Sequence, residues 1–307
     1  MPTWDEIAKE IESAPTVLPD GQMVYAYDEV LQKYLRMFAE YRNRNVILYY
    51  SDWLNPMKGA NVDINDSDMT GFMTTVYGLD RDKGLDLILH TPGGSPQATE
   101  GIVEYLHSMF GNDIEVFVPH MAMSAGTMLA CATKKIWMGK QSCLGPIDPQ
   151  FASVSAFNIK KEFEEAKRDL AKRPSTFRNW QISLHKYPFA FYYTVQDSIE
   201  LSSKLVENWL TKYMFSEHAD AENAAKTITA KLNVNTGSHA KHLLFGECEK
   251  MGLAVDRIES DQSLQDLVLS VHHACSIMGA RTPAAKVIAN HKGKSYIINN
   301  IYNMRES

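Results

Sequence analysis

Three short apolar runs, each closed by a turn, constrain this chain most tightly. The first, LDLILH at residues 85–90, is rich in leucine and isoleucine and stops at Thr91-Pro92-Gly93-Gly94. A short run punctuated in this way predicts a strand that ends in a turn. Beyond it, Ala98, Ile102, Val103, Leu106 and Phe110 fall at helical spacing, leaving Glu100 and Glu104 for solvent. The unit then recurs. Residues 114–118 (IEVFV) are strand-like, Pro119 ends them, and Ser124 opens a stretch of small residues, Ala125-Gly126-Thr127. Residues 135–138 (KIWM) supply a third strand, which leads to Leu144-Gly145-Pro146-Ile147-Asp148-Pro149. Strand, turn and helix in repetition predict an α/β chain.

The turn residues carry chemistry as well as shape. A backbone without Cβ takes positive φ readily, so Gly93 and Gly94 can turn their amides outward toward a substrate carbonyl. Ser124 falls at a helix N-terminus, where unpaired amides favour developing negative charge. The amides of Ala125 and Gly94 can therefore share an oxyanion, with the Ser124 hydroxyl as nucleophile. The plainer reading of Ser124 is an N-cap that satisfies an orphan amide. Asp148, 24 residues after Ser124, has a comparable plain reading as a residue that fixes a turn. His90 is read as shaping a strand end and His120 as ordering its loop.

The phrases TPGGS, MSAGTM and LGPIDPQ, in that order, resemble the serine dehydrogenase proteinase (SDH) family of Clp-fold serine proteases. More distant kinship is to the Clp protease catalytic subunit and to signal peptide peptidase A. The resemblance runs from about Tyr49 to Gln150 and resumes at 246–253 (GECEKMGL). It implies an α/β, ClpP/crotonase-like fold of repeated ββα units, with helical N-terminal and inserted segments. It also implies Ser124 as nucleophile and Gly93, Gly94 and Ala125 as the oxyanion hole.

The general base stays open at this point. In the Clp catalytic subunit a histidine follows the nucleophile at nearly the distance of Asp148, and an aspartate precedes the later glycine-leucine motif. Here the two types look exchanged, because His239 lies 13 residues before Gly252. Ser124, His239 and Asp148 can still form a triad, which is defined by geometry and not by order. His242 is an alternative to His239. A Ser/Lys dyad, as in signal peptide peptidase A, would instead draw on Lys204 or Lys186.

Composition narrows the partners. A net charge of −6 over 307 residues, without an evident basic face, argues against nucleic acid. The start of the chain carries Asp5, Glu6, Glu10 and Glu12 and does not read as a signal peptide. No run approaches the roughly 18 apolar residues of a membrane span, so the expected location is cytoplasmic. Cys131, Cys143, Cys248 and Cys275 lack paired metal spacing and read as reduced, packed thiols. No cofactor or metal is called for. The resemblance implies a homo-oligomer acting on peptide or protein substrates, with a separate ATPase supplying any energy-driven unfolding.

The expected organisation is an N-terminal helical segment over 1–44, a protease domain over 45–260 with an insertion near 151–193, and a helical C-terminal extension over 261–307. Helices are expected over 27–41, 160–173, 197–214 and 262–278, the second with Glu164 and Arg168 paired, and a strand over 45–50. The aromatic insertion could line a substrate channel or a subunit interface, and reads first as interface or core packing. The function expected is a serine peptidase working through an acyl-enzyme. The alternatives are a catalytically silent Clp-fold scaffold and a crotonase-like acyl-CoA enzyme.

Overall fold

The computed structural model describes residues 3–13, 16–17, 23–55, 62–233 and 241–300. Its frame is a seven-stranded sheet in the order Val255–Arg257, Lys135–Met138, Ile114–Val118, Leu85–His90, Asn45–Ser51, Ala284–Asn290 and Ser295–Asn299. The first five strands run parallel, and the last two form an antiparallel hairpin added at one edge. The period-two alternation of a strand sorts side chains onto two faces. Ile47, Leu87, Val116 and Ile136 stand in one cross-strand row and share a core with residues of helices Asp68–Val76, Pro96–Phe110, Ala125–Cys131 and Phe191–Trp209. Leu48, Ile88 and Phe117 stand in the next row and pack on the opposite side against helices Trp4–Glu12, Tyr27–Arg42 and Gln262–Arg281. Burial on both faces explains why these strands read as continuous apolar runs.

The sheet feeds a smaller one. Met121–Ala122, Cys143–Leu144 and Leu243–Leu244 make a three-stranded sheet, and Thr91 adds to it by a bridge to Ala122. The strands at 85–90, 114–118 and 135–138 thus each run on into a short second strand or bridge, and the first two then enter a helix. This is the repeated ββα unit, and the α/β, ClpP-like architecture is as expected.

Charge is buried at the opposite end of the sheet. Asp86, fully buried, accepts from Arg42 Nε at 2.8 Å and from Arg44 Nε at 2.6 Å. Arg42 also reaches Glu115 at 2.9 Å, and Arg44 reaches Asp113 at 2.8 Å. The helix Tyr27–Arg42 is thereby tied to the strand starts. Replacing both arginines would strand the buried Asp86 carboxylate, at a cost of about 3–5 kcal/mol.

Several elements differ from expectation. The C-terminal stretch is helical only through Gln262–Arg281; beyond it come the two strands of the antiparallel hairpin. All seven residues of Ala284–Asn290 are buried, so no alternation appears, and Lys286 interrupts the apolar run. Helices Asp68–Val76 and Ala221–Asn233 were not anticipated. The helix expected over 197–214 begins earlier, as Phe191–Trp209, and ends in a π turn at Leu210–Met214. On helix Ala156–Lys172, Glu164 faces Lys160 and Arg168 faces Glu165, so these pairs replace the Glu164–Arg168 pair expected. In the insertion, Phe151, Phe163, Tyr187 and Phe191 are partly buried against a satellite core of Ala156, Ile159 and Val195, whereas Phe177, Phe189 and Tyr193 are exposed. The four cysteines are buried and free. Among the described residues no helix is long and apolar enough to cross a membrane.

Beyond the ends of the parallel strands lies a histidine cluster. His90 stacks on His120 with centroids 5.5 Å apart, and His272 meets them at 5.6 and 5.7 Å. Burial, with help from His120, pulls the His90 pKa down to about 3, and burial pulls His272 well below its usual value. The unfolded chain therefore takes up protons below pH ~6.5 that the folded chain refuses, and stability falls as pH drops from there toward about 3. His90 alone should cost roughly 3 kcal/mol of stability by pH 4. Urea unfolding from pH 7 to pH 4 should show this loss. His90→Asn, whose amide oxygen can still accept the Met121 N–H, should flatten it; an unchanged acid limb would contradict the assignment.

Candidate active site

Two turns meet where the first two strand units cross into the small sheet. The Thr91 N–H donates to the Met121 carbonyl at 3.0 Å, and the Met123 N–H donates to the Thr91 carbonyl at 3.0 Å. The glycine turn and the serine turn are thus laced together by backbone. Gly93, with φ of 98°, lies so close that a Cβ there would fall 2.5 Å from the Met123 carbonyl and 2.8 Å from Ser124 Cβ. Its amide donates to Thr91 Oγ1 at 3.2 Å. On its other side the turn pairs with Ile64, whose N–H donates to the Gly93 carbonyl at 2.7 Å and whose carbonyl accepts from Ser95 at 2.9 Å. In such a parallel bridge the intervening residue points its own amide the other way, so the Gly94 N–H faces away from Ile64.

Ser124 occupies the N-cap position of the helix Ala125–Cys131, yet it does not cap. Its φ of 51° and ψ of −115° lie outside the region a capping serine uses, and its hydroxyl makes no cap hydrogen bond. A positive φ on a non-glycine residue here is a strained turn held by its surroundings. Thr127, one turn on, contributes to that hold. Its hydroxyl lies 2.8 Å from the Ala122 carbonyl and accepts the Gly145 N–H at 2.9 Å, fixing the helix start to two strands of the small sheet. The plain N-cap reading of Ser124 is therefore set aside.

The two turns open on a cleft of about 450 Å³. Ser124, Gly94 and Pro92 line it, together with apolar Met128, Ile147, Phe151 and Leu201 and polar Asp63, Gln97, Gln150 and Ser198. Asp63, Met128 and Leu201 were not anticipated beside Ser124, since only the fold brings them there.

The base candidates separate. Asp148 is buried beside the cleft, between the lining residues Ile147 and Pro149, and accepts from Gln150 Nε2 at 2.7 Å. His239 lies outside the described residues. Lys204 is exposed on the helix Phe191–Trp209 and pairs with Glu200, which holds its pKa above the usual value. Lys186 is exposed beyond the helix Phe177–Leu184. Neither lysine lines the cleft, and among the described residues no histidine does. His120 is engaged in the histidine cluster, and His242 is exposed next to the strand Leu243–Leu244.

The strand–turn–helix pair with its glycine turn and uncapped serine can be set beside known proteins. Residues 57–175 match the ClpP-like SDH-type serine proteinase family. That span contains Gly93, Gly94, Ser124, Ala125 and Asp148 and ends before the helix that supplies Leu201. Two proteins of Methanocaldococcus jannaschii are also similar to the chain. Uncharacterized protein MJ0137 is 28% identical over 195 residues, which are 64% of this chain and 60% of the relative. Uncharacterized protein MJ1495 is 26% identical over 175 residues, 57% of this chain and 53% of the relative. The chain thus spans between half and two thirds of the length of each.

The strain at Ser124 has a measurable consequence. Glycine relieves a positive φ of this kind, which costs a larger residue on the order of 1–3 kcal/mol, less glycine's own entropy loss of about 0.5–1 kcal/mol. Ser124→Gly should therefore raise stability by about 1 kcal/mol in urea unfolding, while Ser124→Ala leaves it nearly unchanged. Equal effects of the two substitutions would show that the turn is unstrained.

Proposed function

We propose that this chain is a serine peptidase that cleaves peptide bonds through an acyl-enzyme on Ser124. The observation that carries the reading is Ser124, whose hydroxyl is unused by its own helix and which lines a cleft together with Gly94. The family match, whose description is that of a serine proteinase, supports it.

In this reading Ser124 Oγ attacks the substrate carbonyl carbon while its proton passes to the base. The amides of Gly94 and Ala125 hold the resulting oxyanion. Collapse of the tetrahedral species breaks the C–N bond, the base returns its proton to the leaving amine, and water then repeats the sequence on the ester. His239 is assigned as base and Asp148 as its orienting partner. The burial of Asp148 beside the cleft favours this pair over the lysines, because Lys204 is held in its charged form by Glu200 and Lys186 is solvent-exposed. Met128, Ile147 and Leu201 suit an apolar substrate side chain. The same reading carries a cytoplasmic homo-oligomer, served by a separate ATPase where folded proteins are the substrate.

A fluorophosphonate probe followed by mass spectrometry tests the reading. Wild type should be labelled at Ser124 and Ser124→Ala not at all. His239→Ala should slow labelling by about 10²-fold or more, the usual worth of a general base. Absence of label from wild type in every assembly state would overturn the proposal. Label that persists at the wild-type rate in His239→Ala would overturn the base.

A further inference from the structure

Lys286 is a lysine kept from water. It stands 1% exposed on the strand Ala284–Asn290, opposite Ser51 of the neighbouring strand. Its ammonium donates to Asp68 Oδ1 at 2.7 Å and to the Asp63 carbonyl at 2.7 Å. Asp68, wholly buried at the start of its helix, accepts on its other oxygen from the Tyr49 hydroxyl at 2.8 Å and from the Asn65 N–H at 3.0 Å. Ser51 adds a bond from its hydroxyl to the Val62 carbonyl at 2.7 Å. Buried side chains therefore grip Val62, Asp63 and Asn65, and Ile64 lies between them.

Ile64 is the residue that pairs with the glycine turn. Its N–H and carbonyl hold Gly93 and Ser95, and a Cβ on Gly94 would fall 2.3 Å from its carbonyl oxygen. The direction of the Gly94 amide is therefore set by the segment 62–65. Buried ion pairs add little net stability over apolar residues of similar size, so stability alone does not account for this one. What the pair does supply is fixed direction, from charge-assisted bonds that leave the gripped carbonyl and amide little freedom.

We propose that the Lys286–Asp68 pair is a positioning device for the oxyanion turn, acting through residues 62–65 to aim the Gly94 amide at the carbonyl bound over Ser124. The inference rests on the peptidase reading of Ser124 and Gly94. It gives the strand Ala284–Asn290, outside the matched residues 57–175, a part in the site. Lys286 and Asp68 are positioning residues and touch no substrate.

The test uses the double variant Lys286→Met/Asp68→Asn, which removes the bond to the Asp63 carbonyl without leaving a bare buried charge, and separately Ser51→Ala, which removes the hold on Val62. Each is compared with wild type in the rate of fluorophosphonate labelling, resolved into maximal rate and half-saturating concentration, with thermal unfolding to establish that it is folded. The double variant should lose about tenfold or more in maximal rate, and Ser51→Ala several-fold, with half-saturation within about twofold, because a misaimed donor costs the transition state and not the encounter. A folded variant labelled at the wild-type rate would overturn the proposal, and so would a loss confined to half-saturation. Should the double variant not fold, Ser51→Ala decides alone. No label on wild type would instead overturn the peptidase reading, a result distinct from any of these.

Discussion

The contact between Gly93 and the Met123–Ser124 peptide is the constraint from which the site follows. With no Cβ on Gly93, the turn after one parallel strand can lie against the turn after the next, and no larger residue fits in that 2.5 Å gap. The backbone bonds through Thr91 then fix the relative position of the two turns. Ser124 is left at positive φ with its hydroxyl free of its own helix, and Gly94 with its amide turned from Ile64. A site assembled from main chain needs few particular side chains.

The parallel sheet makes that contact possible by carrying both turns at the same end. Its two faces are closed by separate cores, and its buried charges sit toward opposite ends: Asp86 with Arg42 and Arg44 at the strand starts, Lys286 with Asp68 near the turns. Both are directional interactions in surroundings that penalise a missing partner more than they reward the pair. The first registers a helix on the sheet, and the second registers the segment that backs the glycine turn. The histidine cluster, held neutral by burial, lies near the same end and links the stability of that region to pH.

Much of this was legible in the sequence, for definite physical reasons. The strands at 85–90, 114–118 and 135–138 and the helix Pro96–Phe110 fall where the apolar runs and turn residues put them, because period and punctuation are local properties. Ala284–Asn290 was not legible. A strand buried on both faces shows no alternation, and the lysine within it makes sense only beside Asp68, 218 residues away. The cleft lining was hidden for the same reason: Leu201 and Met128 are ordinary apolar helix positions until folding brings them together. Ser124 was ambiguous in sequence because a cap and a nucleophile can both stand at a helix start; the backbone angles at that residue, with no cap hydrogen bond, set the cap reading aside.

The central claim is that Ser124 and the glycine turn act as one catalytic unit, and a crystal structure of the fluorophosphonate adduct tests it most directly. The account predicts phosphorus bonded to Ser124 Oγ, with the phosphoryl oxygen within about 3 Å of the Gly94 and Ala125 amides. Phosphorus on another residue, or a phosphoryl oxygen turned to solvent with both amides unengaged, would contradict it.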